Sequence, residues 1–124
     1  MRIKGKIYCA GPMRGIKYYN FPAFDKAALM FRKKGWRVVN PAELDRVNGA
    51  HEFSINESTD FLRQAMKRDL TELCECTAIA LLPGWRKSAG TFVELALARL
   101  LNLEIYDATT GKRMLGVELG VSNE

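Results

Sequence analysis

Apolar and polar positions change period several times along the chain, and each change marks an element. Lys6 to Ala10 (Lys-Ile-Tyr-Cys-Ala) is a short apolar run stopped by Gly11-Pro12, which predicts a buried parallel strand and a loop. Phe21 to Lys34 switches to helical spacing. Phe24, Ala27, Ala28 and Phe31 form its stripe, Pro22 suits the first turn and Gly35 stops it. Trp36 to Asn40 predicts a second strand, closed by Pro41, and Ala42 to Ser58 is polar and irregular, a loop that is either a lid or a disordered insertion. Thr59 to Cys76 predicts a helix in which Leu62, Ala65, Met66, Asp69, Leu70 and Leu73 keep the i, i+3, i+4, i+7 spacing of a buried stripe. Thr77 to Leu82 is the most apolar strand, ended by Pro83-Gly84, and Leu103 to Tyr106 is a fourth. Asp107 to Glu124 holds a turn at Thr109-Thr110-Gly111, a fifth short strand near Met114 and a polar tail.

Strands alternating with helices imply a parallel sheet with right-handed crossovers. The expected fold is α/β, a flavodoxin/Rossmann-like three-layer sandwich with a four- to five-stranded parallel sheet. A chain of 124 residues suits one domain spanning 1–124. In such sheets ligands bind beyond the carboxyl ends of the strands. Two loops are expected there, Gly11-Pro12-Met13-Arg14-Gly15 and Pro83-Gly84-Trp85-Arg86-Lys87-Ser88-Ala89-Gly90.

One residue breaks the pattern. Ala89 to Leu101 is apolar on nearly every face, which predicts a buried helix, yet Glu94 stands in its middle. Burying a carboxylate costs several kcal/mol (about 3–5 where an ion pair is broken) unless it is paired or hydrogen-bonded. Either Glu94 finds an internal Arg or Lys and only shapes the core, or it faces a cavity and does chemistry. Asp69 is a second carboxylate on an apolar helix face. Two carboxylates flanking a sugar carbon are the equipment of glycoside chemistry, one attacking the anomeric carbon and one handling the leaving group's proton.

Composition narrows this little: 48% hydrophobic and 27% charged residues are ordinary for a globular protein. No apolar run approaches the roughly 20 residues of a membrane span, and Met1 to Lys6 leads into a strand rather than a signal-peptide core, so a cytoplasmic protein is expected. Cys9, Cys74 and Cys76 with a single distant His51 make no persuasive metal set; small reduced thiols are expected. No metal or organic cofactor is implied. The net charge of +5 comes from scattered basic pairs, including Arg86-Lys87 and Lys112-Arg113. An anionic small substrate fits these better than stable nucleic-acid binding, which lacks an aromatic-basic motif here.

The loop residues fit phosphate. Ser88 is a natural helix N-cap and Gly90 lets a ligand approach the backbone. A helix N-terminus with a hydroxyl and nearby Arg86-Lys87 is suited to an anion. Gly11-x-x-Arg14-Gly15 lacks the G-x-G-x-x-G dinucleotide pattern. Trp85 is a candidate to stack on a base, Tyr18 and Tyr19 to line a sugar pocket, and Arg14 to meet phosphate; packing explains the aromatic residues equally well.

Taken together, Tyr8 to Gly15, Asp69-Leu70 before an apolar strand, and Ser88-x-Gly90-x-x-x-Glu94 resemble the nucleoside 2-deoxyribosyltransferase superfamily. Within it they are closest to the 2′-deoxynucleoside 5′-phosphate N-hydrolases. Related phage and bacterial proteins of unassigned function are similar around Asn40-Pro41-Ala42-Glu43 and Leu82-Pro83-Gly84-Trp85. The resemblance covers roughly Ile7 to Tyr106. It implies that Glu94 is a nucleophile forming a covalent deoxyribosyl intermediate, that Asp69 assists base departure, and that Tyr8 positions the nucleophile. It implies substrate-binding roles for Gly11, Met13, Arg14, Gly15, Ser88, Gly90 and Trp85. Ser88 stands where nucleoside-specific transferases carry an aspartate, and a hydroxyl suits a 5′-phosphate that an aspartate would repel. A homodimer or larger homo-oligomer is also implied, since the family builds part of each pocket from a neighbour. Two departures concern that neighbour. Arg113-Met114-Leu115 is followed by Gly116 where the hydrolases carry a serine, and Asn123 is a stand-in for the transferases' C-terminal residue.

The expected activity is cleavage or exchange of the N-glycosidic bond of a 2′-deoxynucleoside 5′-monophosphate. The alternatives are a base-exchanging transferase acting on nucleosides and a nucleotide-binding sensor without turnover.

Overall fold

Four short strands, all parallel, run through the centre of the molecule in the order β2-β1-β3-β4: β1 (Lys6–Ala10), β2 (Arg37–Val39), β3 (Ala78–Leu81) and β4 (Glu104–Asp107). The computed structural model describes residues 3–48 and 59–116. Among the described residues four α-helices connect and flank the strands: α1 (Phe21–Lys33), α2 (Pro41–Val47), α3 (Thr59–Cys74) and α4 (Ala89–Leu100). This is an α/β, flavodoxin/Rossmann-like three-layer sandwich.

Strand alternation sorts the core into two halves. Ile7 and Cys9 of β1, with Ala78 and Ala80 of β3, face the layer of Phe21, Phe24 and Phe31 from α1. Tyr8 and Ala10, with Ile79 and Leu81, face the other layer, where Leu73 of α3 and Leu95 and Ala98 of α4 pack. Phe21, Phe24 and Phe31 are fully buried, and truncating one to alanine would cost about 3–5 kcal/mol. Period two along β1 thus puts the Tyr8 ring on the same side as α3 and α4.

The winding reverses between β1 and β3. The chain leaves β1 toward α1 and β2 on one side, and returns through α3 to β3 on the other. That reversal leaves a crevice at the carboxyl ends of β1 and β3, the usual ligand site of doubly wound sheets.

Three expectations need correction. Part of the anticipated irregular loop is helical, because Asn40 caps α2 through its side chain (Ala42 N–H to Oδ1, 2.9 Å) and Pro41 fits the first turn. Residues 49–58, and with them any lid, lie outside the described residues. Near Met114 there is no fifth strand but an isolated antiparallel bridge, Tyr106 to Arg113; Gly111 has already turned the chain back at φ +75°. Finally, α4 is buried on one side only: Thr91, Glu94, Leu95 and Ala98 are covered, whereas Phe92, Val93 and Leu100 are exposed. A lone layer of two helices over a narrow sheet covers one face of each and no more.

Candidate active site

Pocket and carboxylates share one place. A cavity of about 450 Å³ opens at the β1–β3 crevice, lined by the loop after β1 (Gly11 to Arg14), the start of α4 (Lys87 to Thr91) and the inner faces of α3 and α2. Tyr8, Asp69 and Glu94 are all in its wall. Leu62, Ala65 and Met66 of α3 also line it, which is why this part of the predicted stripe is only half-buried while Asp69 and Leu73 are buried.

The Glu94 position follows from the α4 cap. Ser88 accepts hydrogen bonds at Oγ from the Thr91 backbone N–H (3.2 Å) and the Thr91 hydroxyl (2.9 Å), starting the helix at Ala89. One and a half turns on, Glu94 lands on the inward face at 6% exposure. Among the described residues no cation meets it there. The Tyr8 phenol donates to Glu94 Oε2 instead. Burial raises the Glu94 carboxyl from 4.5 to about 8; the Tyr8 hydrogen bond opposes the rise and the Asp69 charge adds to it.

Asp69 has the partner that Glu94 lacks. Arg68 Nε and Nη2 lie 2.9 and 2.7 Å from Asp69 Oδ1, and the same Nη2 lies 2.7 Å from Asp45 Oδ1 on α2. Burial still raises the Asp69 carboxyl to about 6; Arg68 pulls it down, while Asp45 pushes it up. Burial together with the Glu94 and Asp69 charges lifts Tyr8 well above 10, so it stays a phenol. Cys9 also lines the cavity, but burial pushes its thiol up to about 12, which excludes a thiolate nucleophile at neutral pH.

The two loops meet as the strand order requires. Gly11, Met13 and Arg14 from one, and Ser88 and Gly90 from the other, line the cavity with Lys87. Both lone pairs of Ser88 Oγ are used by Thr91, so its own hydrogen is left to donate to a ligand. A Cβ on Gly90 would meet nothing nearer than Ser88 Oγ at 4.0 Å, so the backbone there is open to the cavity. Tyr19 lines the cavity and is buried, whereas Tyr18 is 41% exposed and outside it.

Two more candidates lie elsewhere. Gly15 sits in an exposed turn at φ +75° and serves the backbone, not the cavity. Trp85 is buried on the far side of the short 3-10 turn Trp85–Lys87, edge-on to Phe92 and covered by the Arg86 guanidinium at 4.4 Å. It borders a second groove of about 600 Å³, beside Lys112 and Arg113. That tight turn sends Arg86 and Lys87 in different directions, so only Lys87 reaches the carboxylate cavity. Arg113 approaches Glu104 at 3.4 Å, and Asn123 lies outside the described residues.

Arg68 and Asp45 were missed by sequence reasoning. Arg68 sits beside Lys67 and reads as surface charge; Asp45 falls in a segment that reads as loop. The signal that was available is Asn40-Pro41-x-Glu43, a capped helix start that would have placed Asp45 on a helix.

Fold and site define a class: a doubly wound α/β protein with a phenol and three buried carboxyls, those of Asp45, Asp69 and Glu94, at its switch-point cavity. Residues 5–107 match the family model described as Domain of unknown function (DUF4406), and the chain belongs to that family. No curated protein matches it at a significant level.

Proposed function

We propose that the protein cleaves the N-glycosidic bond of a 2′-deoxynucleoside 5′-monophosphate through a covalent deoxyribosyl-Glu94 intermediate. The observation that carries this reading is Glu94 held by Tyr8, and by no cation among the described residues, in the wall of a cavity it shares with Asp69. The resemblance of the Tyr8–Gly15 and Ser88–Glu94 segments to the deoxyribosyltransferase superfamily supports the same roles.

The chemistry balances with one proton between the two carboxyls. Around neutral pH the pair holds that proton mainly on Glu94, whose carboxyl sits near 8 against about 6 for Asp69. In the reactive form that proton sits on Asp69 while Tyr8 donates its hydrogen to Glu94, leaving a carboxylate nucleophile and a carboxylic acid. Glu94 then attacks C1′, the C1′–N bond breaks, and its electron pair takes the Asp69 proton as the base leaves. Water adds to C1′, returns a proton to Asp69 and frees Glu94. The 5′-phosphate lies at the α4 N-terminus, with Ser88, the Gly90 backbone, Lys87 and Arg14 as its donors.

The exposed apolar side of α4, with Phe92, Val93 and Leu100, supports association of two copies next to the site. The free cysteines and nucleotide substrate fit a cytoplasmic setting. Among the described residues no helix is long and apolar enough to cross a membrane.

The test is chromatography of deoxynucleoside monophosphates and free nucleosides after incubation, with mass analysis of the Glu94 peptide in acid-quenched samples. Free base together with a deoxyribose phosphate adduct on that peptide is expected. Base exchange on nucleosides, without preference for the phosphate, would mark the transferase alternative instead. Raised melting temperature without base release would mark a sensor.

A further inference from the structure

We propose that Arg68 is a positioning residue: its guanidinium clamps Asp45 of α2 to Asp69 of α3, and the clamp sets both the direction and the charge of the Asp69 carboxyl. The proposal rests on the reading of Asp69 as the group that serves the leaving base.

Geometry makes the case. Arg68 and Asp69 are consecutive residues of one helix, and side chains at i and i+1 normally diverge. Here the Arg68 side chain folds back so that two of its nitrogens meet Asp69 Oδ1, at 2.9 and 2.7 Å. The third contact explains the fold-back: Nη2 also meets Asp45 Oδ1 at 2.7 Å, across 23 positions of chain. Asp45 is 3% exposed and Asp69 8%, so water screens the Arg68 contacts only weakly. Both guanidinium bonds to Asp69 fall on Oδ1, which leaves Oδ2 without one. One planar fork thus holds a helix that borders the cavity and orients the acid inside it, a task a lysine point charge cannot perform.

The charges around Asp69 are Arg68 on its own helix, Asp45 from α2, and Glu94 from α4, with the Tyr8 phenol from β1. Arg68 favours the ionised form of Asp69 and Asp45 disfavours it. The clamp therefore predicts opposite responses at its two ends. Removing the positive end raises the Asp69 titration midpoint; neutralising the negative end lowers it.

The experiment is a ¹³C-carboxyl NMR titration of Asp69 beside steady-state kinetics on deoxynucleoside monophosphates, in wild type, Asp45→Asn, Arg68→Lys and Arg68→Met. The midpoint is expected to fall in Asp45→Asn and to rise in Arg68→Met. In Arg68→Lys, kcat is expected to fall about tenfold at unchanged KM, because the charge stays and the fork is lost. Arg68→Met leaves two buried carboxylates unpaired; if it does not fold, the other two variants decide. An Asp69 midpoint unmoved in Asp45→Asn, or an Arg68→Lys variant with wild-type kcat, would overturn the proposal. If wild type releases no base, the assigned reaction fails while the titration still judges the clamp.

Discussion

The Tyr8 hydroxyl donates its hydrogen to Glu94 Oε2, tying the middle of β1 to the second turn of α4. The two residues are 86 positions apart, and the bond is buried. It gives the Glu94 carboxyl a polar partner without giving it a countercharge. A guanidinium would have held Glu94 permanently ionised and stabilised; a phenol orients it and leaves its affinity for a proton high.

Glu94→Gln is expected to abolish base release, by about 10³-fold or more, because the amide cannot form the glycosyl ester. The same variant is expected to be more stable than wild type at neutral and higher pH. Native Glu94 titrates near 8 and an unfolded one near 4.5, so between these values the native state keeps a proton that the unfolded state has lost. Stability therefore drops as pH rises through that window. Thermal melts from pH 5 to pH 8.5 should show the Gln variant gaining on wild type as pH increases; a constant gap would contradict the buried, cavity-facing carboxyl.

Turnover should follow a bell-shaped pH profile. The singly protonated pair is the working form, lost below about 6 when Asp69 also protonates and above about 8 when Glu94 gives up its proton. Tyr8→Phe removes a hydrogen bond that lowers the Glu94 carboxyl, so its alkaline limb should move to higher pH. Its kcat should fall by about 10–100-fold, the worth of one hydrogen bond to a charged group. Rate profiles of the two proteins check both points.

Ser88→Asp separates two roles of one residue. Aspartate is as good an N-cap as serine, so the melting temperature should hold. Its charge would face the ligand phosphate, so KM for a deoxynucleoside monophosphate should rise about tenfold or more, with little change for the free nucleoside. Equal effects on the two substrates would place the phosphate elsewhere.

Two glycines should respond in opposite ways to alanine. A Cβ on Gly11 would stand 2.6 Å from Leu82 Cβ, so backbone must shift and Gly11→Ala should destabilise by about 1–3 kcal/mol. At Gly90 the space is open, so Gly90→Ala should keep the fold and weaken ligand binding, since the methyl projects toward the cavity. Chemical denaturation and KM together distinguish the two.

Local pattern carried much of this. β1 begins and ends where its apolar run does, and α1 ends at Lys33, one residue short of its predicted end at Lys34. Glu94 and Asp69 stood out because a carboxylate on an apolar face is conspicuous in any chain. The failures have physical causes as well. The short helix α2 has too few turns to show a period, so only its cap announces it. Sequence spacing left Trp85 open between packing and base stacking, because a three-residue turn decides which way its ring points.

What the amino-acid sequence determined by itself was the order of strands and helices, the Ser88 cap, and the presence of two acidic side chains where apolar ones are expected. These depend on neighbours within a few residues, so they are written locally. Tertiary structure alone decided that Tyr8, not a cation, meets Glu94, and that Arg68 binds Asp45 and Asp69 together. Those pairings join β1 to α4 and α2 to α3 through the winding of the sheet, and a distance of a few ångströms between remote residues has no local signature in the chain.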